Sequence, residues 1–304
     1  MSQAPRHLVA IDWGTSNFRA FLVDADSGEC LDSRRSDAGL RALRGDEFPH
    51  YCAAQVNEWR DGGRVPVYLA GMVGSARGWS EAPQLDLPVA ASDLARHVVA
   101  APGLDNAWLV PGVKVVEPAR VDVMRGEEIQ AFGALAAAES DTALCCLPGT
   151  HSKWASLEAG YLVDFTTMMT GELYHAVRFH TLPGEPARAS DAFDAEGFEQ
   201  GLRAARHPAG LLHALFEARS RNLYAGLADE QVGSFLSGVM IGSEVDRQRA
   251  LFPRTAEVLL IGSSALNALY RRAMEAAGFG VREIDSDHAT LMGLCALARQ
   301  HRDE

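Results

Sequence analysis

The stretch Leu147-Pro148-Gly149-Thr150-His151-Ser152-Lys153-Trp154 decides how this chain is read. It follows the short apolar run Ala143 to Leu147 and leads into a strand-like run ending near Leu157. Gly160 then turns the chain back through Tyr161-Leu162-Val163-Asp164-Phe165. The pattern is that of a β-hairpin opened by a tight Gly-Thr turn whose backbone N–H groups point outward. Such a turn can cradle a phosphate, and the hydroxyls of Thr150 and Ser152 add donors. Lys153 stands out because the chain has only two lysines, the other being Lys114. An ordinary surface hairpin would show the same local pattern, so the stretch gains its weight from a second turn of the same kind.

That second turn is at the N-terminus. His7 to Ile11 is an apolar strand, Asp12-Trp13-Gly14-Thr15-Ser16-Asn17 a polar turn and Phe18 to Val23 a returning strand. An Asp/Ser/Gly turn and a third strand from Glu29 to Arg35 follow. Two strand–turn–strand units with Gly-Thr cores, about one domain length apart, suggest a duplicated nucleotide-gripping device. With them the chain resembles the sugar kinase/actin/Hsp70 ATPase superfamily, whose two hairpins close on the phosphates of ATP. The resemblance implies that Asp12 holds Mg2+ through water, as the acidic residue of the first hairpin does in that superfamily.

A narrower resemblance rests on an ordered set of motifs. Asp12 to Ala20, Ala70-Gly71-Met72-Val73-Gly74-Ser75, Met124-Arg125-Gly126-Glu127-Glu128 and Pro148 to Trp154 occur in sequence, and Thr170-Gly171-Glu172-Leu173 and Gly262-Ser263-Ser264-Ala265-Leu266 complete it. Each motif is weak alone. Together they look like those of the 2-dehydro-3-deoxygalactonokinases, over nearly the whole chain.

Bulk properties agree with a soluble enzyme. A chain of 304 residues, 47% of them hydrophobic, can bury a sizeable core, and its length suggests about two domains. The formal charge of -12 argues against nucleic acid or an anionic membrane as the main partner. An anionic substrate then needs a local cationic pocket. The five cysteines show neither C-x-x-C spacing nor a metal-ligand pattern, which fits a reducing cytosol. Met1 to Arg6 are polar and short, so no signal peptide is expected, and no apolar run reaches the ~20 residues that span a bilayer. A cytoplasmic location is the expectation.

Along the chain, strands alternate with helices, which places the protein in the α/β class. Helices are expected near 46–60, 92–99, 126–138, 171–180, 190–206, 209–222, 230–249, 266–277 and 289–299. Buried strands are expected at Val65 to Ala70 and Val258 to Ile261, short ones at 107–110 and 113–116, and a last one at 281–285. Small residues at the carboxyl end of such strands, Gly71-Met72-Val73-Gly74 and Gly262-Ser263-Ser264, are where α/β sheets usually bind ligands. A domain crossover is expected around Pro118 to Met124, dividing residues 1–122 from 123–304, with the last helix packing back on the first domain. The resemblance implies a two-domain actin-like ATPase (ribonuclease H-like) fold with an interdomain cleft. Neither G-x-x-x-x-G-K-[ST] nor a G-x-G-x-x-G after a strand is present, so ATP binding rests on the paired hairpins.

Phosphoryl transfer needs positioning, charge neutralisation and a base for the attacking hydroxyl. Glu127 and Glu128 are the base candidates: they open a helix, whose dipole favours ionised carboxylates, although a capping role would place them there too. Which of the two is the base stays open. Arg19 and Arg125 could bind a sugar-acid carboxylate bidentately, and Arg77 is a weaker third choice. Trp13 is either a substrate neighbour or a core residue. Lys153 could reach a phosphate, Glu172 a sugar hydroxyl, and a metal site on His151 lacks a second ligand at suitable spacing.

The resemblance implies the rest of the site. ATP is expected at Asp12, Gly14, Thr15, Ser16, Asn17, Gly149, Thr150, His151 and Lys153, with the adenosine near Gly262, Ser263, Ser264 and Asn267. The sugar acid is expected at Trp13, Arg19, Gly71, Met72, Gly74, Arg125, Gly171 and Glu172. The implied reaction is ATP- and Mg2+-dependent phosphorylation of 2-dehydro-3-deoxy-D-galactonate at its 6-hydroxyl. Another sugar acid such as the gluconate epimer, or a phosphohydrolase of the same fold, are the alternatives. A homodimer is an open expectation.

Overall fold

The computed structural model describes residues 6–303; Met1 to Pro5, most of the polar start noted above, and Glu304 lie outside the described residues. The chain opens with three strands, β1 (His7–Trp13), β2 (Phe18–Asp24) and β3 (Cys30–Ser36), followed by α1 (Glu47–Val56) and β4 (Val67–Ala70). Next come β5 (Gln84–Asp86), α2 (Ala91–Arg96), β6 (Val99–Ala100), β7 (Ala107–Leu109), β8 (Gly112–Glu117) and β9 (Arg120–Met124). Helix α3 (Glu127–Ala137) precedes a second run of three strands, β10 (Ala143–Leu147), β11 (Ser152–Glu158) and β12 (Tyr161–Met168). Four helices follow: α4 (Thr170–His180), α5 (Ala195–Ala205), α6 (Leu211–Tyr224) and α7 (Asp229–Leu251). The chain finishes with β13 (Glu257–Gly262), α8 (Ser264–Ala276), β14 (Gly280–Asp285) and α9 (Ser286–Asp303).

The described strands form sheets in the orders β3-β2-β1-β4-β7-β6, β12-β11-β10-β13-β14 and β5-β8-β9. Apart from the two-residue edge strand β6, the first two sheets repeat one order. Three meander strands lie with the first innermost, and two strands from later in the chain extend the sheet beyond it. Each Gly-Thr turn joins the first two strands of its meander. The duplication read from two hairpins is therefore a duplication of whole sheets, and the α/β, actin-like class is borne out. In the first sheet β1 pairs antiparallel with β2 and parallel with β4, and β4 runs parallel to β7. Strand β1 is thus central, and Leu8 to Ile11 are fully buried.

The chain divides into two compact units. One comprises Met1–Cys145, Ala155–Thr166 and Ile284–Glu304, the other Cys146–Trp154 and Thr167–Glu283. The first has a core around Trp13, Phe18, Phe48, Val56 and Leu69, in which the Trp13 ring meets Phe18 and Phe48 edge-on. The second packs Phe235, Leu236 and Val239 of α7 against Ala214, Leu215 and Ala218 of α6.

Both units contain helix pairs whose contact is set by glycine. In the first, α9 crosses α3 where a Cβ on Gly133 would lie 1.8 Å from the Ala289 carbonyl oxygen, and one on Gly293 would lie 2.1 Å from that of Ile129. In the second, Gly201 of α5 and Gly238 of α7 meet the Phe235 and Phe198 carbonyl oxygens in the same way, at 2.1 and 2.2 Å. The last helix, α9, also packs against β1 and β4.

Most elements lie where the sequence places them. The segment expected as a crossover, Pro118 to Met124, contains β9, which returns antiparallel on β8. Helix α5 starts at Ala195 rather than near Ser190 because Asp194 caps it, its Oδ1 accepting the Gly197 N–H at 2.6 Å. The three-stranded sheet was not foreseen: β5 is only three residues long, and β9, although Val121 and Val123 alternate with Arg120 and Asp122, lies in the stretch read as a crossover.

The substitution Gly133→Ala has no space to enter without shifting α9. It should cost about 1–3 kcal/mol, as overpacking does in other cores, measured by urea denaturation against the parent chain.

Candidate active site

In the first unit the site is built at the end of β1. The register sets Asp12 opposite Arg19 across the hairpin, and the Arg19 Nη2 donates to Asp12 Oδ2. The other Arg19 nitrogen, Nη1, donates to Asp287 Oδ1 at 2.8 Å, and Arg35 holds the second oxygen of Asp287. Burial pushes the Asp12 carboxyl up from its ordinary range; Arg19 opposes this, while the charges of Glu127 and Asp287 add to it. Asp287, at the start of the last helix, is a member of this cluster that the sequence reading missed. It lies 268 residues from Arg19, and no local spacing marks it.

The next layer comes from β4 and the start of α3. Gly71 follows β4 with φ +96°, and a Cβ there would lie 2.9 Å from the Trp13 carbonyl oxygen and 3.2 Å from Asp12 Oδ1. Gly126 has φ +107° and approaches Gly71 as closely, its would-be Cβ 2.9 Å from the Gly71 Cα. Only glycine fits either position without strain. This contact brings the amino end of α3, and with it Glu127, beside Asp12.

The two glutamates differ. Glu128 is fully buried and folds back so that the Gly126 N–H donates to both its oxygens at 2.8 Å. Burial, helped by the charge of Glu127, pushes its carboxyl up to about 8. Glu127 remains partly exposed. Arg125 is buried, its Nη2 donating to the Ala82 carbonyl at 2.8 Å, while its Nη1 is buried with no hydrogen-bond partner and lies beside Gly74. Burial lowers the Arg125 pKa from its ordinary value, against the opposing charges of Glu128 and Glu81. Trp13 is fully buried, its indole N–H given to the Ala38 carbonyl at 2.8 Å. Arg77 is exposed. Gly14, Thr15, Ser16 and Asn17 form the turn itself, closed by the Gly14 N–H on the Asn17 carbonyl at 2.9 Å, with Ser16 and Asn17 exposed.

In the second unit the turn after β10 is held from one side. The start of α4 lies so close that a Cβ on Gly171 would sit 2.4 Å from the Gly149 carbonyl oxygen, and the Glu172 N–H donates to the Thr150 carbonyl at 3.0 Å. His151 Nε2 lies 2.6 Å from Glu172 Oε2. The other side of the turn is open, and the nearest atom to a would-be Cβ on Gly149 is 4.0 Å away. Lys153 is buried and its Nζ donates to the His151 carbonyl at 2.9 Å. Beyond β13, Ser263 caps α8 by accepting the Leu266 N–H, and Ser264 begins the helix. Asn267, one turn on, is buried with Oδ1 lacking a partner and pressed towards Gly262.

Sequence reading also missed Glu244. This buried carboxylate of α7 accepts Ser152 Oγ at 2.9 Å and Trp154 Nε1 at 2.8 Å on one oxygen. Its other oxygen accepts Thr170 Oγ1 and, at 2.9 Å, the Tyr270 hydroxyl. Elsewhere in this unit a cavity of about 380 Å³ is lined by Gln200, Arg203, His207, Glu217 and Arg221 and shares no residue with the candidates above. His207, His213 and Glu217 there bring ligand atoms within 4.8 Å of one another. All three are already engaged: Arg221 holds Glu217 at 2.6 Å, His213 Nε2 lies 3.3 Å from Glu217 Oε1, and the Ala209 N–H donates to His207 Nδ1 at 3.1 Å.

Comparison with known proteins places these motifs. A family model described as 2-keto-3-deoxy-galactonokinase matches residues 12–297. A protein of Escherichia coli (strain K12) named 2-dehydro-3-deoxygalactonokinase is 39% identical over 294 residues, 95% of this chain and 97% of that one. A crystal structure of a candidate 2-dehydro-3-deoxygalactonokinase from Sinorhizobium meliloti is 34% identical, with a TM-score of 0.88 over 96% of this chain and 98% of that one. An activator of the 2-hydroxyisocaproyl-CoA dehydratase from Clostridium difficile, with bound ADPNP, shares the fold alone. Its TM-score is 0.52 at 12% identity, over 98% of this chain and 96% of that one. With the motifs in order and matched over nearly its whole length, the chain belongs to the 2-keto-3-deoxy-galactonokinase family.

Proposed function

We propose that this kinase phosphorylates the 6-hydroxyl of 2-dehydro-3-deoxy-D-galactonate with ATP and Mg2+, giving 2-dehydro-3-deoxy-6-phosphogalactonate. The observation that carries the reading is the cluster at the ends of β1 and β4. There a partly exposed Glu127 stands beside Asp12, and Arg125 keeps a buried N–H without an acceptor. A sugar acid brings a carboxylate that this N–H can take and a hydroxyl whose proton a nearby carboxylate can accept.

The residues present fit both implied groups. Asp12, Glu127 and Asp287 repel one another, with Arg19 set against them, and a divalent cation near Asp12 would relieve that repulsion. In each unit a Gly-Thr turn leaves its glycine open, at Gly14 and at Gly149, so a phosphate can approach the main chain. The unpartnered Asn267 Oδ1 suits an amino group such as that of adenine. When bound, ATP with Mg2+ supplies the phosphoryl group and the charge neutralisation its transfer needs.

The chain's own residues then have distinct tasks. Glu127 accepts the 6-hydroxyl proton as that oxygen attacks. Glu128, protonated or held on the Gly126 N–H, fixes the start of α3 and so the position of Glu127. Arg125 orients the substrate carboxylate. Arg19, committed to Asp12 and Asp287, holds the metal-side carboxylates in place. We place the reaction in the cytoplasm, where its five cysteines stay reduced. No helix among the described residues is long and apolar enough to cross a membrane. The outward Leu212, Phe216 and Leu223 of α6 offer an apolar face that a homodimer, left open by the sequence, would cover.

Three measurements test this. ADP release should be stimulated strongly by the galactonate-derived acid and weakly by its gluconate epimer, whereas release indifferent to sugar acids would favour a phosphohydrolase. Glu127→Gln should lower kcat by about 10²–10⁴, the range for a lost general base, and Glu128→Gln by much less; equal, modest losses would sink the assignment.

Glu128 also predicts a pH effect. In the fold it keeps its proton up to about pH 8, while in the unfolded chain it releases it near the ordinary 4.5. Between those values the folded state binds more protons, so this group's contribution to stability falls as pH rises. Glu128→Gln removes that loss. Compared with the parent, it should gain stability from pH 5 to pH 8.5, by at most about 1.4 kcal/mol per unit of pKa shift, read as the difference in urea midpoints.

A further inference from the structure

The carboxylate of Glu244 collects four donors from three separate parts of its unit. Ser152 and Trp154 come from β11, Thr170 from the first residue of α4 and Tyr270 from α8. Two of the parts carry a proposed nucleotide contact within three residues of their donors, and the third, the start of α4, packs against one. Ser152 follows His151 of the phosphate turn, Thr170 precedes Gly171, which is pressed on the Gly149 carbonyl, and Tyr270 lies three residues past Asn267. An apolar side chain would fill the same space without the desolvation cost of a buried acid, so packing alone does not account for a glutamate here.

We infer that Glu244 is a positioning residue: it ties the 149–153 turn, the start of α4 and the 262–267 loop into one pre-arranged surface for ATP, without touching the nucleotide. The inference rests on the reading of those loops as nucleotide-binding. Because the substrate carboxylate and the base are assigned to residues of the other unit, and only Gly171 and Glu172 of this one are expected at the sugar acid, loss of Glu244 should weaken ATP well beyond the sugar acid.

The chemistry of the four donors predicts a graded response. In Glu244→Gln the carbonyl can keep Ser152 and Trp154, whose indole only donates, while the amide donates to Thr170 and Tyr270, whose hydroxyls can turn to accept. In Glu244→Leu all four contacts are lost. The dissociation constant of Mg-ATP, measured by calorimetry well below the unfolding temperature, should rise about tenfold or more in Glu244→Leu and about threefold or less in Glu244→Gln. The KM for the sugar acid should stay within about twofold of the parent in both. The 1H–15N indole resonance of Trp154 should move in Glu244→Leu.

If Glu244→Leu fails to fold, Tyr270→Phe removes one donor at nearly constant volume and should weaken ATP about threefold. An unchanged ATP constant in a folded Glu244→Leu or Tyr270→Phe, or an equal loss for both substrates, overturns the inference. A parent chain that binds no ATP overturns it together with the nucleotide reading. A parent that binds ATP but leaves the sugar acid unphosphorylated overturns the proposed reaction, while the ratio of ATP constants still decides the role of Glu244.

Discussion

A carboxylate at the end of a central strand whose Leu8 to Ile11 are fully buried has to be balanced where it stands, and Asp12 is that carboxylate. Main chain on either side fixes it: β2 by antiparallel pairing and β4 by parallel pairing. The first partner supplies Arg19 at the opposite register position. The second supplies Gly71, where no side chain fits between the strand and the Asp12 carboxylate. Arg19 and Arg35 are two cations against three acids, for Asp287 and Glu127 stand in the same field as Asp12. The balance thus also holds α9 to the strand ends, through the Arg19–Asp287 and Arg35–Asp287 pairs. The residual negative field suits a cation-dependent reaction, whereas a purely structural ion pair would be expected to close on itself.

The two units bury glutamates in contrasting ways. Glu128 has one N–H shared between its oxygens, and desolvation prevails, which leaves it protonated to unusually high pH. Burial raises the Glu244 carboxyl as well, but there four side-chain donors are set against it. The contrast separates their roles. A carboxyl that is mostly neutral and folded on its own helix start makes a poor proton acceptor from a substrate, and its partly exposed neighbour Glu127 is left as the better one. A carboxylate saturated by side chains from distant segments instead holds those segments in register.

Much of the fold was legible because its signals are local. Alternating apolar runs and Gly-Thr turns marked both meanders, and the 3.6-residue stripes marked the helices to within a few residues. Pairing order was not local, yet the repeated hairpin hinted at it. What escaped were groups whose meaning depends on contacts far along the chain. Asp287 opens an unremarkable final helix, and Glu244 stands mid-helix in α7 with donors 92, 90, 74 and 26 residues away. Strands β5 and β9 likewise gain their form from the partner β8 between them. The choice between Glu127 and Glu128 was open in sequence because both sit in the first turn of one helix, and their difference is one of burial.

The same logic separates the two arginines that sequence treated alike. Arg19 gives its guanidinium to two carboxylates of the protein, so recruiting it for substrate would uncover Asp12 and Asp287 in a partly buried place. Arg125 gives one nitrogen to a carbonyl and holds another buried and unpaired, an arrangement that costs about 1–3 kcal/mol when nothing answers it. Under the proposed reading this donor is kept for the substrate carboxylate, and Gly74 beside it adds no side chain of its own. A sugar acid brings that acceptor with it, and a neutral sugar would leave the Arg125 N–H desolvated and unanswered. The discrimination between the two classes of substrate would then come from an unpaired donor in the free enzyme.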